Sequence, residues 1–332
     1  LYGRRSPAGA SFSCRDTGNA ACGGRIITEG AEKVGGRYGG RTRSLGRQQT
    51  IKHSFDIEGI GVHTGTVCRL GFHPAPAGTG IVFQRIDLPG QPLIPATIDY
   101  VVDSFRCTRI ADGAASVSTV EHVMAALSGL GIDNCHLTVD GPEVPIVDGS
   151  AATFIRMLKA AQVVEQSLPR QYVELSRPVW VSDGGRHMVA LPSDRFCVSF
   201  TFTNDKAHPA LTDQYAEVIV TPESFEKEIA PARTMGWLEE VESLRRKGLI
   251  QGASGDIAVV IGEESVLTPL RYPNELVRHK ILDVIGDLAL VGRLRAHVIG
   301  IRSGHRLNAL LGRAILQTVQ PDPDPSNLVS TV

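Results

Sequence analysis

The order in which strand and helix patterns follow one another most constrains what this chain can fold into. Strand periodicity runs through Cys68, Leu70 and Phe72, and a second strand opens at Gly80 to Phe83. A helix is expected from Ser118, with Val120, Val123, Met124 and Leu127 at helical spacing and a stop at Gly129. Cys135, Leu137 and Val139 predict the next strand, and residues 151–162 the next helix. The pattern breaks at Glu165 to Arg170, with Pro169 as the boundary mark. Beyond it, strands are expected near 172–181, 187–191, 196–203 and 256–261, and helices over 222–229, 237–247, 273–291 and 305–319. The two types mix without a regular βαβ alternation, so the expected class is α+β, not a doubly wound sheet. Neither a GxGxxG turn, a P-loop nor a short repeat is present.

This reading divides the chain into a disordered head (1–48), a first α+β domain (49–168), a second one (169–319) and a disordered tail (320–332). The head holds 11 of the 35 glycines within its first 50 residues and no apolar periodicity. Its Arg-rich, Ser-containing composition suits an organelle-targeting peptide, but Asp16, Glu29 and Glu32 fit that poorly, and an unstructured extension is favoured. The Pro-Asp-Pro-Asp-Pro run after Gln320 cannot continue a helix. A net charge of -1 excludes a chain-wide nucleic-acid binder, and no apolar run approaches the ~18 residues a membrane span needs. Six scattered cysteines without a CxxC pair argue against a disulfide framework or a thiolate zinc knuckle, so a reducing, cytoplasmic setting is expected.

The helix that opens at Pro273 carries the most informative residues. His279, Asp283 and Asp287 follow at i, i+4 and i+8 and line one face, while Leu276, Val277, Ile281, Val284, Ile285 and Leu288 fill others. An imidazole and a carboxylate one turn apart can reach one cation, and Asp287 can orient a further group. A solvated polar stripe on an amphipathic helix has the same spacing.

Ser118-Thr119-Val120-Glu121-His122 reads as a capping box that opens a helix. Glu121 is then either a cap or a general base beside a metal-binding His122. Ser303-Gly304-His305 sets a histidine at the mouth of another helix, where an N-cap role is the plainer alternative.

Taken together, GVHTG (61–65), HPAPAGTG (73–80), STVEHVMAALSGLGIDN (118–134), PIVDGSA (145–151), HPA (208–210), ARTMGW (232–237), VRHKILDVIGDL (277–288) and SGHRLN (303–308) resemble the bacterial UDP-3-O-acyl-N-acetylglucosamine deacetylases. These zinc amidases catalyse the committed step of lipid A synthesis. The resemblance runs from about Gln49 to Gln317 and implies two domains, each a sheet on a pair of helices, with zinc between them. The second domain would carry an insert forming an apolar passage for the acyl chain. The resemblance further implies that His122, His279 and Asp283 hold Zn²⁺, that Glu121 is the general base and that His305 bears charge and protonates the leaving amine. Asp287 would orient His305, Thr203 would help hold the oxyanion, and Lys280 would lie near the substrate's diphosphate.

The implied partner is a small UDP-linked acylated amino sugar, acted on by a monomer. Met235 and Trp237 depart from the family's ARTFGF pattern, and Asn204 and Lys206 replace mostly apolar residues before His208. All four bear on the acyl passage. Arg170 aligns loosely with a basic residue that aids the nucleotide, and a surface charge is favoured for it. His63, His73 and His208 are read as structural or binding-adjacent. Two other readings stand beside this one: a zinc hydrolase of the same fold acting on another N-acyl substrate, and a catalytically idle binding protein.

Overall fold

The computed structural model describes residues 46–240 and 257–319. The expected disorder of residues 1–45 and 320–332, and most of the helix expected over 237–247, lie outside the described residues. Arg47 and Gln48, assigned to the head, already belong to a strand.

The first half runs β1 (Arg47–Ile51), β2 (Phe55–Ile60), β3 (Val67–Pro74), β4 (Ile81–Arg85), β5 (Leu93–Pro95), β6 (Val101–Asp103), β7 (Arg109–Asp112) and β8 (Ala115–Val117). Helix α1 (Glu121–Leu130), β9 (Cys135–Val139), α2 (Ala152–Ala160) and β10 (Val163–Pro169) complete it. The second half holds β11 (Val173–Glu174), β12 (Val179–Asp183), β13 (Arg186–Pro192), β14 (Cys197–Phe202) and β15 (Gln214–Ile219). Then come α3 (Pro222–Ser224), continued by a π-helical turn over Phe225–Ile229, and β16 (Met235–Trp237) and β17 (Val259–Ile261). Helix α4 (Glu275–Ala289), β18 (Leu294–Ile301) and α5 (His305–Val319) close the described chain.

The mixed, multi-sheet arrangement is α+β. Both large sheets share one connectivity. The first has the order β2-β3-β9-β4-β5 and the second β12-β13-β18-β14-β15, with β11 added beside β18. In each, the last strand in sequence inserts at the centre, antiparallel to one neighbour and parallel to the other. In each, that strand is entered from one long helix (α1 or α4) and left towards another (α2 or α5). One continuous apolar core contains residues of both sheets and of all four helices. Helix α1 is buried on nearly every side, as its run of Val, Met, Ala and Leu requires.

Three expectations are corrected. The stretch at 165–170, where no element was expected, holds strand β10 (Val163–Pro169), which pairs antiparallel with β1 and ends at Pro169. Helix α1 starts at Glu121 rather than Ser118, and no capping box forms. Instead Thr119 adopts a left-handed φ of 62°, its hydroxyl donates to Glu143, and Ser118 bridges to Glu143 as extended chain. A β-branched residue there is strained, at a cost of roughly 1–3 kcal/mol that the Glu143 hydrogen bond helps offset. Finally, Asn274 precedes the first residue of α4, so Pro273 lies outside the helix.

Candidate active site

A glycine fixes the meeting of the two halves. Helices α1 and α4 pack against each other, and a Cβ placed on Gly286 would lie 2.0 Å from the Glu121 carbonyl oxygen. Only glycine permits that approach. It sets the first turn of α1, with Glu121 and His122, against the polar face of α4, with His279, Asp283 and Asp287.

The metal-type set is closely gathered. One ligand atom each from His122, His279 and Asp283 lies within 4.8 Å of the others, and all three residues are buried. His279 Nε2 is 3.3 Å and His122 Nε2 3.9 Å from Asp283 Oδ1. The Nδ1–H of His279 donates to the Ala232 carbonyl (3.1 Å), which leaves its Nε2 lone pair facing Asp283. Asp283 Oδ1 has no hydrogen-bond partner among the described residues. A buried carboxylate oxygen left bare between two imidazoles has the chemistry of a cation ligand.

The protonation states agree. Burial and the neighbouring His279 hold His122 down at about 3, and burial likewise lowers His279. Burial works against charge on Asp283, but the Lys280 ammonium, aided by the His305 cation, outweighs it and holds its carboxyl well below the usual range. Neutral imidazoles and an ionised carboxylate form the donor set a divalent transition metal takes.

Beside it lies a proton-handling chain. Glu121 Oε2 accepts the Thr108 N–H (3.0 Å), and its Oε1 is 3.9 Å from His305 Nε2. Burial pushes Glu121 up to about 8; the charge of His305 opposes this and that of Asp287 adds to it. His305 Nδ1 donates to Asp287 Oδ2 (2.8 Å). Burial would lower His305, but the Asp287 and Asp283 carboxylates dominate and raise it to about 10. Asp287 also accepts from the Thr108 hydroxyl (2.5 Å) and the Asn308 amide (2.8 Å), so three donors fix its orientation. A buried carboxyl with a raised pKa and a cationic imidazole thus flank the metal-type set.

The structure therefore brings together Glu121, His122, His279, Asp283, Asp287 and His305. Lys280 joins them, its ammonium donating to Asp283 Oδ2 (2.9 Å). Thr203 follows β14, and its hydroxyl donates to Asp205 (2.5 Å), which pairs with Arg302. Arg170 is not the free surface charge expected, since it clamps the end of α1 through Asp133 and the Gly131 carbonyl. His73 bonds Thr138, and His208 bonds the Gly262 carbonyl, as structural histidines do.

Of the departures, Asn204 ties the backbone of the 204–211 loop, and Lys206 sits 4.1 Å over the Trp237 ring. Met235 and Trp237 pack on a small separate apolar cluster of Leu211, Val259, Ile261 and Leu276.

Two contributors escaped the sequence reading. Thr108 serves both Glu121 and Asp287, yet it lies in a short loop with no motif around it. Buried Glu143 collects Thr119 and the backbone of His63 and Thr64, holding the GVHTG turn against the site; only its acidity amid apolar neighbours marked it.

Comparison with known proteins supplies the family. A family model described as UDP-3-O-acyl N-acetylglycosamine deacetylase matches residues 48–317. A UDP-3-O-acyl-N-acetylglucosamine deacetylase of Anaeromyxobacter sp. is 45% identical over 272 residues, covering 81% of this chain and 88% of the relative. Its counterpart in Acidithiobacillus ferrooxidans is 46% identical (81% and 90% covered), and that of Myxococcus xanthus 42% (81% and 86%).

Proposed function

The chain belongs to the UDP-3-O-acyl-N-acetylglucosamine deacetylase family, and from that premise we propose that it removes acetyl from UDP-3-O-acyl-N-acetylglucosamine through the site described above. The products are UDP-3-O-acyl-glucosamine and acetate, in the committed step of lipid A biosynthesis. The observation that carries the reading is the bare Asp283 Oδ1 between two neutral histidines, with Glu121 and His305 on its flank.

His122, His279 and Asp283 would hold Zn²⁺, whose N₂O donor set suits that ion. Bound there, it supplies Lewis acidity, which polarises the amide carbonyl and makes a water nucleophilic near neutral pH. Glu121 takes the proton of the attacking water; its raised pKa makes it a capable acceptor once ionised. His305, held protonated by Asp287, offsets the negative charge that develops on the carbonyl oxygen and delivers a proton to the leaving amine. Thr203 would assist at the oxyanion if its hydroxyl exchanges Asp205 for substrate. Lys280, kept charged by Asp283, places a cation by the site where a diphosphate needs one. The β16–β17 cluster, with Met235 and Trp237, would wall the acyl passage. The same proposal takes a cytoplasmic, monomeric enzyme. Among the described residues, no helix is long and apolar enough to cross a membrane.

The test is acetate release from the UDP-linked substrate, with metal analysis of His279→Ala and Asp283→Ala. Release by the zinc-loaded wild type, and loss of one zinc per chain together with turnover in the variants, is expected. No release from fully metallated protein would direct the site to another N-acyl substrate, and zinc held at wild-type affinity in both variants would defeat the ligand assignment.

A further inference from the structure

Strand register, not sequence spacing, brings a second set of metal-binding side chains together. In the second sheet, Cys197 of β14 lies directly beside His297 of β18, and Ser199 of β14 directly opposite Glu217 of β15. Alternation sends Val198 and Phe200 into the core with Val218 and Val298, so Cys197, Ser199, Glu217 and His297 share the other face. One ligand atom each from Cys197, Glu217 and His297 lies within 4.8 Å of the others.

The four side chains are tightly coupled. Ser199 Oγ is 2.6 Å from His297 Nε2 and donates to Glu217 Oε2 (2.7 Å), and the Tyr215 hydroxyl also donates to Glu217 Oε2 (3.0 Å). His297 Nε2 and Glu217 Oε2 stand 3.7 Å apart. The thiol is nearly buried while the carboxylate is half-exposed, so an ion can enter from solvent and meet the sulfur at the floor.

We propose that Cys197, Glu217 and His297 form a second metal site, on the face of this sheet turned away from the core, for a divalent transition metal of the zinc type. Sulfur and imidazole ligands disfavour magnesium and calcium, which take oxygen. Three protein ligands leave one position for water. Ser199 and Tyr215 orient the carboxylate as outer partners. The ion would join three adjacent strands, including edge strand β15, and would stabilise the folded sheet by mass action. This inference is independent of the catalytic proposal, because the two sites share no residue.

The presence of sulfur separates the sites spectroscopically. The catalytic set contains no thiolate, whereas cobalt bound to Cys197 gives an intense thiolate-to-metal charge-transfer band in the near ultraviolet. Metal-free full-length protein titrated with Co²⁺ should develop that band to one equivalent. The band should persist in His279→Ala and vanish in Cys197→Ser, His297→Ala and Glu217→Gln. Zinc content should be two per chain in the wild type and one in the last three variants, all with wild-type circular dichroism and acetate release. Absence of the band in the wild type would overturn the site, as would a band that survives His297→Ala and so belongs to another thiol. Because Cys197→Ser and the solvent-facing Glu217→Gln are nearly isosteric, they decide the matter even if His297→Ala fails to fold.

Discussion

Asp287 shows how a buried carboxylate tunes a neighbour. Held by Thr108 and Asn308, it presents Oδ2 to His305 Nδ1 and stabilises the imidazolium. The rate should therefore depend on pH from both sides. On the proposed roles, activity should fall as pH drops, as Glu121 takes up a proton, and fall again as pH rises towards about 10, where His305 loses its own. A pH profile of kcat/KM for His305→Gln should lack the alkaline limb, and an unchanged limb would assign it to another group. Linkage gives the same group a stability signature. Its folded pKa lies above the unfolded value of about 6.5, so its contribution is complete below that pH and is lost as pH climbs through about 10.

At the scale of elements, the crossing of α1 and α4 determines whether the two parts of the site meet. Gly286→Ala should push a methyl group into the Glu121 carbonyl, lowering stability by roughly the 1–3 kcal/mol of an overpacked core, which a reduced melting temperature would register. It should also lower kcat by about 10²-fold through misplacement of Glu121 and His122. Paired thermal melts and acetate assays would show both effects; wild-type values in both would mean the helices do not touch there. Much of this level was legible in the sequence. Strands β3, β9 and β14 alternate apolar and polar residues, β13 is marked by its apolar run over 188–191, and α4 and α5 carry clear helical faces. Edge strand β15 escaped because one of its faces meets solvent and blurs the pattern. Central strand β18 alternates clearly in burial, but its outward Arg295 and His297 disguise a core strand between two long helices. The capping box was misread because Glu143, distant in sequence, claims the Thr119 hydroxyl and Thr108 claims the carboxylate of Glu121.

Across the whole molecule, two halves with the same strand connectivity put their helices back to back and build one site from both. That repetition was invisible in the sequence because the halves share topology and not side chains. The motif residues were legible because chemistry fixes their types, whereas Thr108 acts through its position in a loop. Since a single core spans both sheets and the four long helices, folding should not depend on an ion bound at the proposed catalytic site. Chelation should abolish acetate release while leaving circular dichroism intact, and added zinc should restore it; unfolding on chelation would show the metal to be structural.

The central claim is that Glu121 is a base rather than a cap, and the most direct measurement is the rate of acetate release by zinc-loaded Glu121→Gln. Glutamine keeps the shape and can still accept the Thr108 N–H, but it cannot take the proton of the attacking water. The predicted result is a rate lower by roughly 10² or more with zinc still bound at one equivalent in the catalytic site. Near-normal turnover by that metallated variant would contradict the account.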